Sequence, residues 1–173
     1  MKKHNFTLSA IRRGIFFLLI LVSFALQFII LPKTALPVPL LLLIPVCVAV
    51  SMHENELYSL LWGLFAGILW DTASPVTDGL YALILPAAFL ITGLLTGYVL
   101  RNTFLTASLF TALLSLIPSV LGIFYTKGKL TSELLASVIK AECIPAVITS
   151  LIILIPVYFF VSAIVRRFSY ERA

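Results

Sequence analysis

The stretch Gly14–Leu31, GIFFLLILVSFALQFIIL, runs for eighteen residues without a charge. A hydrocarbon core about 30 Å thick takes roughly 20 predominantly apolar residues of helix to cross, so this stretch reads as a membrane span. It begins like a signal peptide, but no small-x-small cleavage site follows it. PKTALPVP then reads as a turn and more apolar runs come after, so a retained first helix is expected.

The rest of the chain agrees. Its 173 residues are 61% hydrophobic and 11% charged, with a mean hydropathy of +1.14. Soluble domains lie near 45–50% apolar and about 25% charged, so this is an integral membrane protein with room for one compact domain. No segment is long or polar enough to form a soluble catalytic domain. The runs predict six spans, at about 14–31, 35–52, 57–70, 80–100, 104–125 and 143–165, forming an all-α six-helix bundle. Pro45, Pro86, Pro118, Pro145 and Pro156 fall inside these runs, where neighbouring helices can satisfy the carbonyls they free. No internal repeat stands out.

Charge sets the expected orientation. A net charge of +5 invites nucleic acid as a partner, but its distribution suits one face of a membrane protein. With the amino terminus inside, Lys2, Lys3, Arg12, Arg13, Arg101, Arg166, Arg167 and Arg172 lie on the inner side. Lys33, Lys127, Lys129 and Lys140 lie outside. The excess predicts both termini cytoplasmic. Asp71 and the loop after it then face outward. Glu54 and Glu56 read as part of a solvated inner loop. The outer connection 126–142 places Leu130, Leu134, Leu135, Val138 and Ile139 at helical spacing, which suits an amphipathic helix at the interface, either as a connector or as a docking surface.

The most informative segment is Gly63–Leu83, GLFAGILWDTASPVTDGLYAL. Gly63, Gly67 and Asp71 are four apart and share one helix face. Gly63-xxx-Gly67 is the small-residue pattern that lets membrane helices approach closely, and Gly93-xxx-Gly97 repeats it in the next span. A glycine-lined antiparallel crossing of these two spans is expected. Asp71, seventeen residues after Glu54, lies about 25 Å further along the helix and just under the outer surface. Its carboxylate can accept hydrogen bonds from its own loop or meet a partner or ligand. Thr72, Ser74 and Thr77 are local candidates. Pro75 disfavours helix at Ser74, and Asp78 or Gly79 can then open the next helix, Asp78 as its cap.

No constellation suggests catalysis. Asp71 and Asp78 flank one short loop and lack the shared, water-accessible arrangement of a carboxylate dyad. Cys47 and Cys143 read as buried apolar residues, and His4 and His53 have no metal-ligand spacing. No cofactor or metal is expected, and no enzyme.

At this motif the chain resembles the rod shape-determining protein MreD family, in which a span ends in a glycine-rich GLLxD, followed by an SGSPLG loop and another span. Gly67, Asp71, Ser74, Pro75 and Gly79 match that pattern, as does LLTGY at Leu94–Tyr98. Trp70 and the VTDG link depart from it. The specific likeness covers Gly63–Asn102. The resemblance implies a bundle similar to the S-components of energy-coupling-factor vitamin transporters. It also implies a non-enzymatic subunit of the bacterial cell-elongation machinery in the inner (plasma) membrane. An MreC-type single-span protein would be its direct partner, with MreB, RodA and a penicillin-binding transpeptidase acting alongside in lateral peptidoglycan synthesis. Gly63, Gly67, Asp71, Ser74, Pro75, Asp78, Gly79, Gly93 and Gly97 form the candidate structural and partner motif. The competing reading is a substrate-binding subunit of a vitamin-type transporter, with a pocket near Asp71, Thr72, Tyr81 and Tyr125.

Overall fold

A computed structural model describes residues 2–30, 41–74, 79–100, 102–126 and 143–170. Among these the chain is all helix, in six elements. They are α1 (Lys2–Ala25), which continues as a π-helical turn over Leu26–Ile30, α2 (Leu43–Ser51), α3 (Glu56–Ala73), α4 (Leu80–Tyr98), α5 (Phe104–Thr126) and α6 (Ile144–Tyr170).

Four of these helices carry stretches long and apolar enough to cross a membrane: Ser9–Ile29, Leu80–Tyr98, Phe104–Leu121 and Ile144–Arg167. This departs from six equivalent spans, most clearly at the second. The run expected over 35–52 is helical only from Leu43 to Ser51 among the described residues, and nine residues rise about 14 Å, half a bilayer core. Its apolar composition has a different cause from that of a span. Every residue from Leu43 to Ser51 is buried in protein, and α2 touches each of the other five helices. It is the axis of the bundle. The third run is helical over eighteen residues, with Glu56 in its first turn and Asp71 near its end. The amphipathic segment expected over 126–142 falls almost wholly outside the described residues.

Packing follows from which side chains α2 meets. Leu43, Ile44 and Val48 join Ile20 of α1, Leu85 and Phe89 of α4, Ala107 and Phe110 of α5 and Leu154 of α6 in one buried cluster. Phe16 of α1 and Val161 of α6 close over Ala49 and Val50 at the far end of α2. The outward faces carry Leu83, Leu105, Leu113, Ile152 and Phe159, the surface a hydrocarbon solvent requires.

Several polar side chains inside the bundle are satisfied locally, whereas the Ser51 and Thr111 hydroxyls are buried without a hydrogen-bond partner. The hydroxyls of Thr92, Ser119 and Ser150 each donate to the carbonyl four residues earlier, as does that of Thr149. Gln27, in the π-helical turn, accepts the backbone N–H of Leu43 at 2.8 Å through Oε1. That bond supplies an orphan donor at the start of α2 with a partner.

Candidate functional site

The α3–α4 pair forms an antiparallel hairpin, and its register is set by what glycine leaves out. A Cβ on Gly67 would lie 2.5 Å from the carbonyl oxygen of Tyr81 and 2.7 Å from the Cα of Ala82. On Gly63 it would lie 2.8 Å from the Cα of Pro86. Both contacts are with backbone, so α4 lies directly on these two positions. Towards the other end of the hairpin, a Cβ on Gly93 would lie 2.7 Å from Ser59 Oγ. That hydroxyl is buried and donates to the Ser51 carbonyl at 3.0 Å. Gly97 differs: its nearest neighbour would be Glu56 Oε1 at 3.5 Å, an ordinary contact. The two GxxxG motifs therefore do not face each other. Gly63 and Gly67 meet the first half of α4, and Gly93 meets the first turn of α3.

Asp71 sits one turn beyond Gly67 on the same face. Its Oδ2 accepts the backbone N–H of Ala82 at 2.7 Å and its Oδ1 that of Tyr81 at 3.3 Å. Helix α4 opens after Gly79, which has φ +83°, a left-handed conformation that glycine adopts without strain. Tyr81 and Ala82 are the second and third residues of α4, so the carboxylate caps a neighbouring helix and places negative charge at the positive end of its dipole. The cap expected of Asp78 lies outside the described residues, as do Pro75 and Thr77. Ser74 has extended backbone and its N–H closes α3 on the Trp70 carbonyl at 3.0 Å. Thr72 turns its hydroxyl to the Leu69 carbonyl instead of the loop. Trp70, packed on Tyr81 with ring centres 5.0 Å apart and edge-on to Phe28 at 5.4 Å, covers the corner from the bundle side.

At the opposite end lies a second polar cluster that the sequence reading passed over. Glu54, expected in a solvated loop, has a side chain only 2% exposed and accepts a 2.6 Å ion-paired bond from Arg12, itself 13% exposed. This is a correction, and its reason is spatial. The turn after α2 folds under the start of α1, and the carboxylate is buried only because a guanidinium 42 positions earlier is buried with it.

His53 lies beside it. The Ala49 carbonyl can only accept, so His53 Nδ1 donates that 2.8 Å bond, and Nε2 lies 3.3 Å from the Ser162 hydroxyl. In the neutral ring Nε2 accepts from that hydroxyl. Burial pushes its pKa below the ordinary 6.5; the bond to Ala49 acts against this, Arg12 acts with it and Glu54 opposes it. Asn102 ties the same turn to α5 by donating to the Met52 carbonyl at 2.9 Å. The Tyr158 hydroxyl reaches Asn102 Oδ1 at 3.4 Å. The turn after α2 is thus tied to α1, α5 and α6 at one point, and the beginning of α1 and the end of α6 both lie at this end.

Among the described residues no three His, Cys, Asp or Glu side chains gather as a metal would need, and Cys47 and Cys143 are both buried. The arrangement among the described residues locks helices together. The family model for the rod shape-determining protein MreD matches residues 8–168. The chain belongs to the MreD family. It is therefore a multi-pass membrane protein of a family that determines rod shape, and the match takes in both polar clusters and the glycine hairpin. No curated protein and no solved structure matches the chain, so the bundle like that of energy-coupling-factor S-components remains an expectation from the family resemblance alone.

Proposed function

We propose that this MreD-family protein is a non-enzymatic scaffold subunit of the bacterial cell-elongation complex. It would bind an MreC-type single-span protein in the cell membrane and so support lateral peptidoglycan synthesis by RodA and a penicillin-binding transpeptidase, alongside MreB. The observation that carries this reading is the family match over residues 8–168. The architecture is compatible with it: the polar groups at both ends of the α3–α4 hairpin hold the chain's own helices, as a rigid platform for partners requires.

In this reading the six helical segments alternate in direction, with α2 as a short return segment inside the bundle. The His53 end faces the cytoplasm. Arg12, Arg13, Arg166 and Arg167 all belong to that end, which follows the positive-inside rule. Asp71 then lies at the outer face, where the extracytoplasmic part of a single-span partner would stand.

The test is co-isolation. An affinity-tagged full chain, extracted from native membranes in mild detergent, is expected to bring down an MreC-type protein in stoichiometric amount. Recovery of a bound vitamin or an energy-coupling ATPase module instead would replace this reading with a transporter subunit. The transporter reading calls for convergent polar groups at the Asp71 end, and there Asp71 is engaged with the N–H groups of Tyr81 and Ala82.

A further inference from the structure

We propose that the face formed by α1 and α3 at the His53 end binds one acidic phospholipid, its headgroup phosphate held by Arg13 and its hydrocarbon lying along Phe17, Leu21, Leu61 and Phe65. This does not depend on the rod-complex reading. Adjacent arginines at the start of the first span have opposite fates. Arg12 turns inward to Glu54. Arg13 lies with its guanidinium carbon 3.6 Å from the centre of the Tyr58 ring, a cation–π stack that covers one face of the group and fixes its plane. Its Nε is sealed in the protein without a hydrogen-bond partner. The Glu54 carboxylate at this end is paired with Arg12, not with Arg13. The terminal nitrogens of Arg13 remain as oriented donors carrying a full charge, a geometry that suits the oxygens of a phosphate.

What lies next to this cation selects among anions. Phe17, one turn further along α1, stacks on Phe65 of α3 with ring centres 4.8 Å apart. Arg13, Phe17 and Leu21 recur every four residues on α1; Tyr58, Leu61 and Phe65 share a face of α3. Phe17 is 43% exposed and Leu61 51%, so an apolar column runs from the guanidinium towards the bilayer centre. Arg13 stands about one turn inside the apolar stretch that begins at Ser9, the depth of phosphates at a membrane boundary, which a long cationic side chain reaches easily. A cation at the head of an apolar column at that depth matches an amphiphile with an anionic head. A free anion would make no use of the column.

The experiment uses the full chain in a neutral detergent, incubated with an equimolar mixture of phosphatidylglycerol and phosphatidylcholine and analysed by native mass spectrometry. The wild type is expected to retain one phosphatidylglycerol in preference to phosphatidylcholine. Arg13→Gln should lower that retention by about tenfold, the scale of one charge-assisted contact. The double variant Arg166→Gln/Arg167→Gln removes two exposed charges from the same end and should change retention less than twofold. Tyr58→Leu, which keeps every charge but removes the orienting ring, should weaken retention severalfold and gives an independent reading if Arg13→Gln does not fold. In parallel, phosphatidylglycerol should raise the thermal midpoint of the wild type, whereas inorganic phosphate at the same concentration should not. The proposal is overturned by equal retention of both lipids, by loss in the Arg166/Arg167 variant matching that in Arg13→Gln, by full retention in Tyr58→Leu, or by equal protection from inorganic phosphate.

Discussion

Replacing Gly67 with alanine adds one methyl group, and the structure says where it goes. The new Cβ would lie 2.5 Å from the Tyr81 carbonyl oxygen and 2.7 Å from the Ala82 Cα. Ordinary contact begins near 3.4 Å, so the start of α4 must retreat by roughly 0.9 Å, since neither obstacle is a side chain that can rotate away. Overpacking of this kind costs about 1–3 kcal/mol. The same residues donate to Asp71, and the 2.7 Å bond from Ala82 would stretch past hydrogen-bonding range under that displacement. A lost bond to a charged group adds about 1.5–3 kcal/mol. The combined loss, about 2.5–6 kcal/mol, sits against a control within the same hairpin. At Gly97 the added Cβ would meet only the Glu56 carboxylate oxygen at 3.5 Å. Gly97→Ala should therefore be neutral, or stabilising by up to about 1 kcal/mol through helix propensity. Unfolding in dodecyl sulfate, followed by circular dichroism, reads both variants. Equal midpoints for Gly67→Ala and Gly97→Ala would refute the backbone-contact reasoning, because propensity alone favours alanine at both.

Three further outcomes follow from the polar contacts. Asp71→Asn keeps one acceptor but turns an amide N–H₂ towards a backbone donor, so it should cost about 1–3 kcal/mol and leave helix content unchanged; a midpoint equal to wild type would remove the cross-helix cap from the account. Glu54→Gln strands the Arg12 charge and should destabilise by about 3–5 kcal/mol, whereas the double variant Arg12→Gln/Glu54→Gln should recover much of that loss; additive losses in the double-mutant cycle would argue against a coupled pair. Burial lowers the pKa of folded His53 from 6.5, so the unfolded chain takes up the proton more readily. Its contribution is complete above pH 6.5 and is lost as the pH falls from there through the folded value. Unfolding midpoints measured from pH 8 to 5 should drop on the acid side in the wild type and less so in His53→Gln.

Much of the hairpin could be read in the sequence because its determinants are local. Spacing puts Gly63, Gly67 and Asp71 on one face, and Pro75 ends helix near Ser74, so a tight corner follows from the chain alone. The occupant of the corner does not: Asp71 meets Tyr81 and Ala82 because α4 lies on Gly67, which is a matter of register between two helices. The second apolar run misled for a physical reason. Hydropathy reports removal from water and does not distinguish lipid from protein, so the fully enclosed α2 resembles half of a span. Glu54 was illegible for the converse reason. Acidic residues near a turn are ordinarily hydrated, and nothing within several residues of Glu54 hints that Arg12 will be buried against it.

The enclosure of α2 bears on how the protein is made. A helix of nine residues is too short to be released sideways into lipid as a stable span, and a polypeptide emerging at the membrane is sorted segment by segment. The walls of its compartment include Leu85, Ala107 and Leu154, which are synthesised after it. Leu43–Ser51 must therefore wait, beside the insertion machinery or at the membrane surface, until α4, α5 and α6 have arrived to enclose it. Biogenesis of this protein should have a late step, in which a segment synthesised early is drawn inward last. Truncation after α4 should leave that segment open to proteases and thiol reagents at Cys47.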